Sequence, residues 1–151
     1  MKKLLSALTL ICILIPGISV AAEYQEEIDK FFGLFKEKKV EESIESIYSS
    51  NPYVGSLKDQ LENLRSQLSS LTRLAGEIDS IEKLDEYMVG ELFIHSTYLV
   101  VYERMPVRVE FQFFKLKKGW RILSFNFDDK FTNEVMLSAR KKALQCSKAK
   151  K

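Results

Sequence analysis

The sequence of 151 residues contains few of the side chains that carry metal and redox chemistry. It has one histidine and two cysteines, and neither an H-x-x-x-H nor a C-x-x-C spacing occurs. Zinc sites need several such ligands at short spacings. Glycine is also scarce, with six residues, and the sequence has no glycine-rich phosphate loop and no G-x-S-x-G nucleophile motif. We therefore predict no metal, no cofactor and no catalytic residue.

Residues 1–22 have the features of a secretory signal peptide. Lys2 and Lys3 precede an apolar run over residues 4–15, and small residues lead up to Ala22, as at a cleavage site. The apolar run is shorter than the ~20 residues that span a bilayer. We therefore expect cleavage near Ala22, a periplasmic or secreted mature chain, and no stable membrane insertion afterwards.

Cleavage would also remove one of the two cysteines. Cys12 lies in the apolar run, so Cys146 would remain alone. An intramolecular disulfide is then excluded, and packing has to stabilise the fold. Residues 23–144 contain no repeat or long linker and have the length of one domain.

Charge is nearly balanced, with 23 basic and 21 acidic residues, so it does not indicate a type of partner. No acidic residue follows Glu134, and basic residues gather from Arg140 onward. Such a tail can contact anionic lipid, but we prefer a solvated and disordered end over residues 145–151. Lysines alternate with aromatic residues between Phe114 and Trp120, as in some nucleic-acid-binding proteins. Export argues against that reading, and no nucleic-acid partner is predicted.

Residues 91–129 are rich in β-branched and aromatic side chains and predict three consecutive antiparallel strands. A turn at 105–106 sets Tyr102 opposite Val109, and a three-residue turn over 117–119 gives the following strand an inward apolar side. One face of this sheet is apolar and needs a covering layer. It consists of Tyr98, Val100, Tyr102, Val109, Phe111, Phe113, Leu123, Phe125 and Phe127.

The opposite face is predicted to be mixed. It carries a polar row of Glu103, Arg108 and Asp128, in which Glu103 is expected beside Arg108. An apolar corner is expected near the single histidine, and it consists of Phe114, Leu116, Trp120 and Ile122. If this outer face forms a homodimer, the candidate interface residues are Phe114, Trp120, Ile122 and Arg108.

The segments before the three strands have helical periodicity. Apolar residues at i, i+3, i+4 and i+7 predict amphipathic helices over 24–39 and 40–48. A third helix begins at a capping box at Ser56 and ends at Gly76. Its leucines suit either a coiled-coil seam or packing on the sheet, and we favour the sheet. Residues 77–89 predict a first strand with a bulge, and residues 132–144 a short C-terminal helix.

The strand motifs resemble those of exported bacterial proteins of the NTF2-like (cystatin-like, SnoaL-like) superfamily. The residues that carry the resemblance are Tyr98, Tyr102-Glu103-Arg104, Pro106, Arg108, Phe111, Phe113-Phe114, Gly119-Trp120-Arg121 and Phe125 to Asp129. The resemblance implies an α+β fold in which N-terminal helices pack on a curved antiparallel sheet, forming a cone with a pocket.

Proteins of this superfamily include enzymes as well as binding modules, so the resemblance leaves function open. Tyr98, Tyr102 and Phe113 are the candidate pocket-lining residues. An apolar pocket that contains a small number of hydroxyl groups is typical of small-molecule sites. We predict an exported, non-catalytic domain that binds a small apolar or amphipathic ligand or a protein partner. The alternative is an isomerase- or dehydratase-like enzyme with its site in the cone, but the predicted strands place their acids on the outer face.

Overall fold

The computed structural model describes residues 22–148, with side chains described over 23–142. The elements are α1 (Ala22–Lys36), α2 (Val40–Tyr48), a 3₁₀ turn (Val54–Leu57), α3 (Lys58–Ala75), β1 (Ile78–Val89), β2 (Phe93–Tyr102), β3 (Pro106–Leu116), β4 (Gly119–Asp128) and α4 (Phe131–Lys148). The strands form one antiparallel sheet in the order β1-β2-β3-β4. The predicted α+β architecture is confirmed. The predicted signal peptide lies outside the described residues apart from Ala22.

Helix α1 covers the inner face of the sheet. Its stripe at Ile28, Phe31 and Phe35 is almost fully buried, because this spacing brings all three side chains to one face of a helix. The Phe31 ring lies 5.3 Å from that of Phe111 and 4.9 Å from that of Phe125. The predicted apolar side of β3 therefore does lie beneath the N-terminal helices.

Helix α3 packs on the same core. Leu61 and Leu68 are buried, as expected for a helix that packs on the domain rather than in a coiled coil. The helix ends at Gly76, whose φ is +91°, and a Cβ at that position would lie 2.7 Å from Glu103 Oε2. The predicted capping box is wrong, because Ser56 Oγ donates to the carbonyl of Tyr53 at 2.7 Å and not to the helix.

The β2–β3 connection is longer than predicted. Tyr98, not Tyr102, pairs with Val109, and residues 102–105 connect the two paired strands. Pro106 begins β3, a position at which its missing N–H group leaves no ladder hydrogen bond unmade. The register error is an even number of residues, so each side chain keeps its predicted face.

The predicted neighbour of Arg108 is therefore wrong. Leu99, not Glu103, lies opposite Arg108. Glu103 directly follows β2 and contacts the residue that precedes β1. Its Oε2 atom accepts a hydrogen bond from the Glu77 N–H at 3.4 Å. The other part of the predicted row is confirmed, since Arg108 and Asp128 face each other across β3 and β4.

The β3–β4 connection is shorter than predicted, and a β-bulge compensates. Leu116 pairs with Gly119, so the turn consists of Lys117 and Lys118. Leu123 has no partner on β3. Because this one residue is skipped, Phe125 pairs with Phe111 and the rest of β4 follows the predicted register. A bulge reverses the alternation of faces along its strand.

The faces assigned to three residues near this turn were therefore wrong. Trp120 and Ile122 point into the core, with 7% and 0% of their surface exposed. Leu123, expected in the core, is 51% exposed. The predicted outer apolar corner therefore loses two of its four members, Trp120 and Ile122.

The two edges of the sheet differ. Side chains that follow helix α2 bind the free edge of β4: the Ile122 N–H donates to Ser50 Oγ at 3.2 Å, and Asn51 Nδ2 donates to the Ile122 carbonyl at 3.4 Å. The Phe125 N–H donates to the Tyr48 hydroxyl at 3.3 Å. Among the described residues, β1 pairs only with β2, and its two register shifts confirm the predicted irregular first strand.

Candidate functional site

A cavity of about 500 Å³ lies at one end of the core, where the C-terminal ends of α1 and α3 meet the start of β1. We call it the Tyr102 cavity. Its lining residues come from five helices and strands and their connections. They are Phe35, Lys36, Lys38, Val40, Thr72, Arg73, Gly76, Glu77, Ile78, Asp79 and Tyr102. Phe35 and Tyr102 are almost fully buried, and Val40 and Ile78 are half-buried, so apolar side chains form much of the wall.

The Tyr102 hydroxyl makes no hydrogen bond to another described residue. The side chain is 4% exposed, and burial raises the pKa of its hydroxyl well above the usual value. Among the described residues, Arg65 Nε is the one fully buried side-chain polar atom without a partner. The unpartnered Tyr102 hydroxyl therefore keeps some accessible surface, and Tyr102 lines the cavity. A neutral donor with an unused hydrogen bond therefore lies in a wall that combines apolar and charged side chains.

An ion pair joins two connections beside this cavity. Lys38 Nζ lies 2.6 Å from Glu77 Oε1, and both side chains are mostly exposed. Lys38 has a φ of +63°, the left-handed conformation that glycine usually supplies at the end of a helix. The Lys39 N–H donates to the Leu34 carbonyl and the Lys38 N–H to the Phe35 carbonyl, the two hydrogen bonds of a Schellman motif.

Three further charged residues of the lining have no ion-pair partner among the described residues. Lys36 ends α1 and Arg73 lies in the last turn of α3, where cations offset the negative end of the helix dipole. Asp79 lies near the start of β1. The unpaired charge at the cavity is therefore mainly positive.

Comparison with known proteins identifies the fold. No family model and no curated protein matches the chain. The chain is similar to a crystal structure from Campylobacter jejuni of a protein described as a candidate NTF2-like transpeptidase, with a TM-score of 0.50 and 12% identity, over 66% of this chain and 97% of that one. The chain has an NTF2-like fold. At this identity the likeness shows the fold and not the activity.

The centre of this NTF2-like cone is filled by aromatic rings. Phe32 lies 5.0 Å from Tyr98 and 5.6 Å from Phe111, and Phe125 lies 5.3 Å from Phe111, between ring centroids. Such offset and edge-to-face pairs pack without leaving room for a ligand. The Tyr102 cavity is thus at the end of the cone and not along its axis.

A polar cluster occupies the other half of the NTF2-like inner face, beneath the start of α1. The Tyr24 hydroxyl donates to Glu86 Oε1 at 3.1 Å, Ser96 Oγ donates to Oε2 at 3.3 Å, and Lys83 forms an ion pair with the same carboxylate. Burial alone would raise the pKa of Glu86, but the Lys83 hydrogen bond and charge and the two hydroxyls hold it below its usual value. Burial and the Glu86 charge raise the pKa of Tyr24 to about 12.

Sequence reasoning did not identify Glu86 as an inward-facing acid. Its position opposite Ser96 follows from the register of β1, which its bulges obscure. An isomerase-like site needs a carboxylate free to accept a proton at neutral pH. Glu86 is instead held ionised by three donors, and it does not line the Tyr102 cavity.

Of the three residues predicted to line the pocket, the structure places Tyr102 at the cavity. The Tyr98 hydroxyl lies 3.1 Å from Gln25 Nε2 and 3.2 Å from Gln25 Oε1, so an α1 side chain engages it. Phe113 is fully buried and its ring lies 6.0 Å from that of Tyr24. The structure therefore does not bring Tyr98 and Phe113 together with Tyr102 in one cavity.

The predicted interface residues are divided between the two faces. Arg108 and Phe114 lie on the outer face, whereas Trp120 and Ile122 are in the core and cannot form part of a surface there. Arg108 Nη2 lies 2.8 Å from Asp128 Oδ2 and Nη1 lies 2.6 Å from Glu134 Oε2. The guanidinium thus ties the start of α4 to the sheet.

The His95 ring lies in a polar network on the same outer face. Its Nε2 atom is 3.3 Å from Glu110 Oε1 and 3.2 Å from Thr97 Oγ1, and its Nδ1 atom is 3.2 Å from Gln112 Nε2. Ser124 Oγ donates to Gln112 Oε1 at 2.9 Å. These contacts occupy both ring nitrogens with neighbours from the same sheet.

The charged half of the Tyr102 cavity was not found from the sequence. Lys36, Lys38, Arg73, Glu77 and Asp79 are separated along the chain and belong to no motif. Their only common signal is that each lies within a few residues of a helix or strand end. The order of the elements alone does not show which of those ends meet in space.

Proposed function

We propose that this protein is an exported, non-catalytic domain that binds a small amphipathic ligand in the Tyr102 cavity. The observation that carries the proposal is the Tyr102 hydroxyl, a donor without a partner among the described residues, on a side chain that is 4% exposed and lines a cavity of about 500 Å³. Buried polar groups are normally hydrogen-bonded. A ligand oxygen would complete the hydrogen bonding of this one.

The size and lining of the cavity support a small molecule as ligand. Sites for such ligands measure roughly 300–1,000 Å³ and combine apolar walls with a few polar groups. Here Phe35 and Ile78 supply apolar surface to the lining, and Thr72 and the charged residues supply its polar part. The ligand is therefore expected to have an apolar part and a polar end.

The same lining favours binding over catalysis. It contains no histidine, and one of its two acids, Glu77, is paired with Lys38. The isomerase- or dehydratase-like alternative stays a prediction. Glu86 is a strand carboxylate on the inner face that such an enzyme could use, and a Glu86→Gln variant that abolished turnover of an enolisable ketone would support it.

Export and association are further parts of the proposal. The signal-like residues 1–22 support a periplasmic or secreted location, and N-terminal sequencing of the mature chain tests cleavage near Ala22. No helix over residues 22–148 has both the length and the apolar character to cross a bilayer. A homodimer through the outer sheet face would rely on Phe114 and Arg108, since Trp120 and Ile122 are buried.

The test is ligand binding followed by NMR. Decanoate and decan-1-ol are titrated into protein purified after expression of the full-length chain. We expect saturable shifts of the methyl resonances of Val40, Thr72 and Ile78 for at least one of the two compounds, because these groups line the cavity. A Val40→Phe variant fills the cavity and should weaken binding by roughly tenfold or more.

The control is Val135→Phe, the same substitution at a site on α4 that is 55% exposed. It should leave binding unchanged. If neither compound shifts the lining methyl groups, or if Val40→Phe and the control bind alike, the cavity is not a ligand site.

A further inference from the structure

We infer that the ligand of the Tyr102 cavity is an anionic amphiphile, whose acidic head group lies between Lys36, Arg73 and the Tyr102 hydroxyl and whose apolar tail lies against Phe35 and Ile78. This inference rests on the proposed function. It adds the charge of the head group and the direction of the ligand, neither of which follows from the fold.

The first support is the sign of the unpaired charge. Of the three cations in the lining, only Lys38 is paired with an acid, and its partner Glu77 is one of the two acids there. Lys36 and Arg73 then remain against Asp79. The lining then has an excess of one positive charge, which favours an anion over a cation.

The second support is the chemistry of the polar groups. Arg73 can offer paired N–H donors to a carboxylate or phosphate oxygen, and Lys36 adds a mobile ammonium. The Tyr102 hydroxyl is neutral in its buried position and donates to an acceptor, which an anionic head group supplies and an ammonium head group lacks. The donors around the cavity therefore match an oxyanion.

The third support is the arrangement of apolar and charged residues. Phe35 is 2% exposed and belongs to the core, so it forms the inner part of the wall. Lys38 and Glu77 are exposed, with 72% and 63% of their side-chain surface accessible. A tail directed inward and a head directed toward solvent satisfy both parts of the lining.

The experiment compares head groups on one chain length. Affinities for decanoate, decan-1-ol and decyltrimethylammonium are measured by calorimetry with protein from the full-length chain, below the micelle concentration of each compound. We expect decanoate to bind roughly tenfold more tightly than the ammonium compound, with a difference that shrinks as salt is added. Decan-1-ol should be intermediate.

Variants assign the preference to residues. Arg73→Gln and Lys36→Gln should each weaken decanoate binding by roughly fivefold and leave decan-1-ol within about twofold. Asp79→Asn should strengthen decanoate binding. Lys30→Gln is the matched control, because Lys30 is exposed on α1 and does not line the cavity.

The outcomes separate this inference from the function on which it rests. Binding of all three compounds with equal affinity, or preference for the ammonium head, overturns the anionic head group and leaves a cavity that binds amphiphiles. Loss of decanoate affinity in Lys30→Gln equal to that in Arg73→Gln also overturns it, since only net charge would then matter. No binding of any compound overturns the proposed function itself.

Discussion

Lys38 adopts a backbone conformation that its residue type disfavours. A left-handed conformation costs an L-residue with a side chain roughly 1–2 kcal/mol, and glycine usually occupies this position. Strained backbone conformations cluster at functional sites, where the surrounding structure holds them in place. Here the strained residue places an ammonium against Glu77 beside the cavity, and glycine would lack that contact.

The strain gives a first prediction. Lys38→Gly and Lys38→Gln both remove the ion pair, but only glycine relieves the backbone, so Lys38→Gly should be more stable by about 1 kcal/mol. Urea denaturation of the two variants measures the difference. At Lys30, within α1, the same two substitutions should rank in the opposite order, because glycine destabilises a helix interior by about 1 kcal/mol relative to good helix formers. Equal stabilities at position 38 would contradict the left-handed conformation.

Tyr24 gives a second prediction, for alkaline pH. Burial and the nearby Glu86 charge raise the pKa of Tyr24 to about 12, whereas an unfolded tyrosine ionises near pH 10. Between these values the unfolded chain has lost a proton that the folded chain retains, so the stability that Tyr24 contributes is lost as pH rises through this window. Burial raises the pKa of Tyr98 and Tyr102 in the same direction.

The measurement compares the wild type with Tyr24→Phe. Near pH 7 the variant lacks the hydrogen bond to Glu86 and should be less stable by about 1–2 kcal/mol. That gap should narrow steadily in denaturation curves taken at pH values above 10. A gap that stays constant would show that Tyr24 ionises alike in both states.

At the scale of elements, the sequence of β4 contains a signal of its β-bulge, and a prediction that overlooks this signal assigns residues to the wrong face. The buried residues Trp120 and Ile122 occupy even positions, whereas Phe125 and Phe127 occupy odd ones. A change of phase within one apolar strand is the signal of a bulge. A single uninterrupted register, fitted to the phenylalanines alone, assigns the other two residues to the wrong face.

The edge of β4 gives a third prediction. Ser50 Oγ accepts the Ile122 N–H and donates to Glu27 Oε2 at 3.1 Å. Ser50→Ala leaves a backbone donor at the sheet edge without its partner and should destabilise the fold by about 1–3 kcal/mol. Amide exchange at Ile122 should accelerate as well.

Ser49 provides the matched control. It is exposed, and its hydroxyl donates only to the Ser46 carbonyl of its own helix. Ser49→Ala should change the free energy of unfolding by less than about 0.5 kcal/mol. If both alanine variants unfold alike, the Ser50 contact does not seal the edge.

For the whole molecule, the layer order was predictable and the cavity was not. Periodicity assigns Phe31 and Phe35 to one helix face and Phe111 to one sheet face, and hydrophobic burial leaves only one way to combine these faces. The cavity depends on how helix ends meet, which is set by crossing angles and loop conformations such as the left-handed Lys38. Those quantities have no periodic signal along the chain.

The aromatic core gives a fourth prediction. Phe31 contacts the rings of Phe32, Phe35, Phe111 and Phe125, and Phe31→Ala should cost about 3–5 kcal/mol. This is a large part of the total for a domain that is stable by roughly 5–15 kcal/mol. Phe114→Ala, at a half-buried outer position, should cost clearly less in the same urea denaturation experiment. Similar losses would indicate that Phe31 is not at the centre of packing.

The sealed edge of β4 has a consequence for self-association. Strand addition needs unpaired backbone groups, and side chains of Tyr48, Ser50 and Asn51 bind three such groups on the edge of β4, whereas the outer edge of β1 pairs with no described strand. Two molecules joined β1 to β1 about a two-fold axis would use up the open edge of each. The side chains bound along β4 would hinder strand addition at the other edge, and a growing fibre needs both edges.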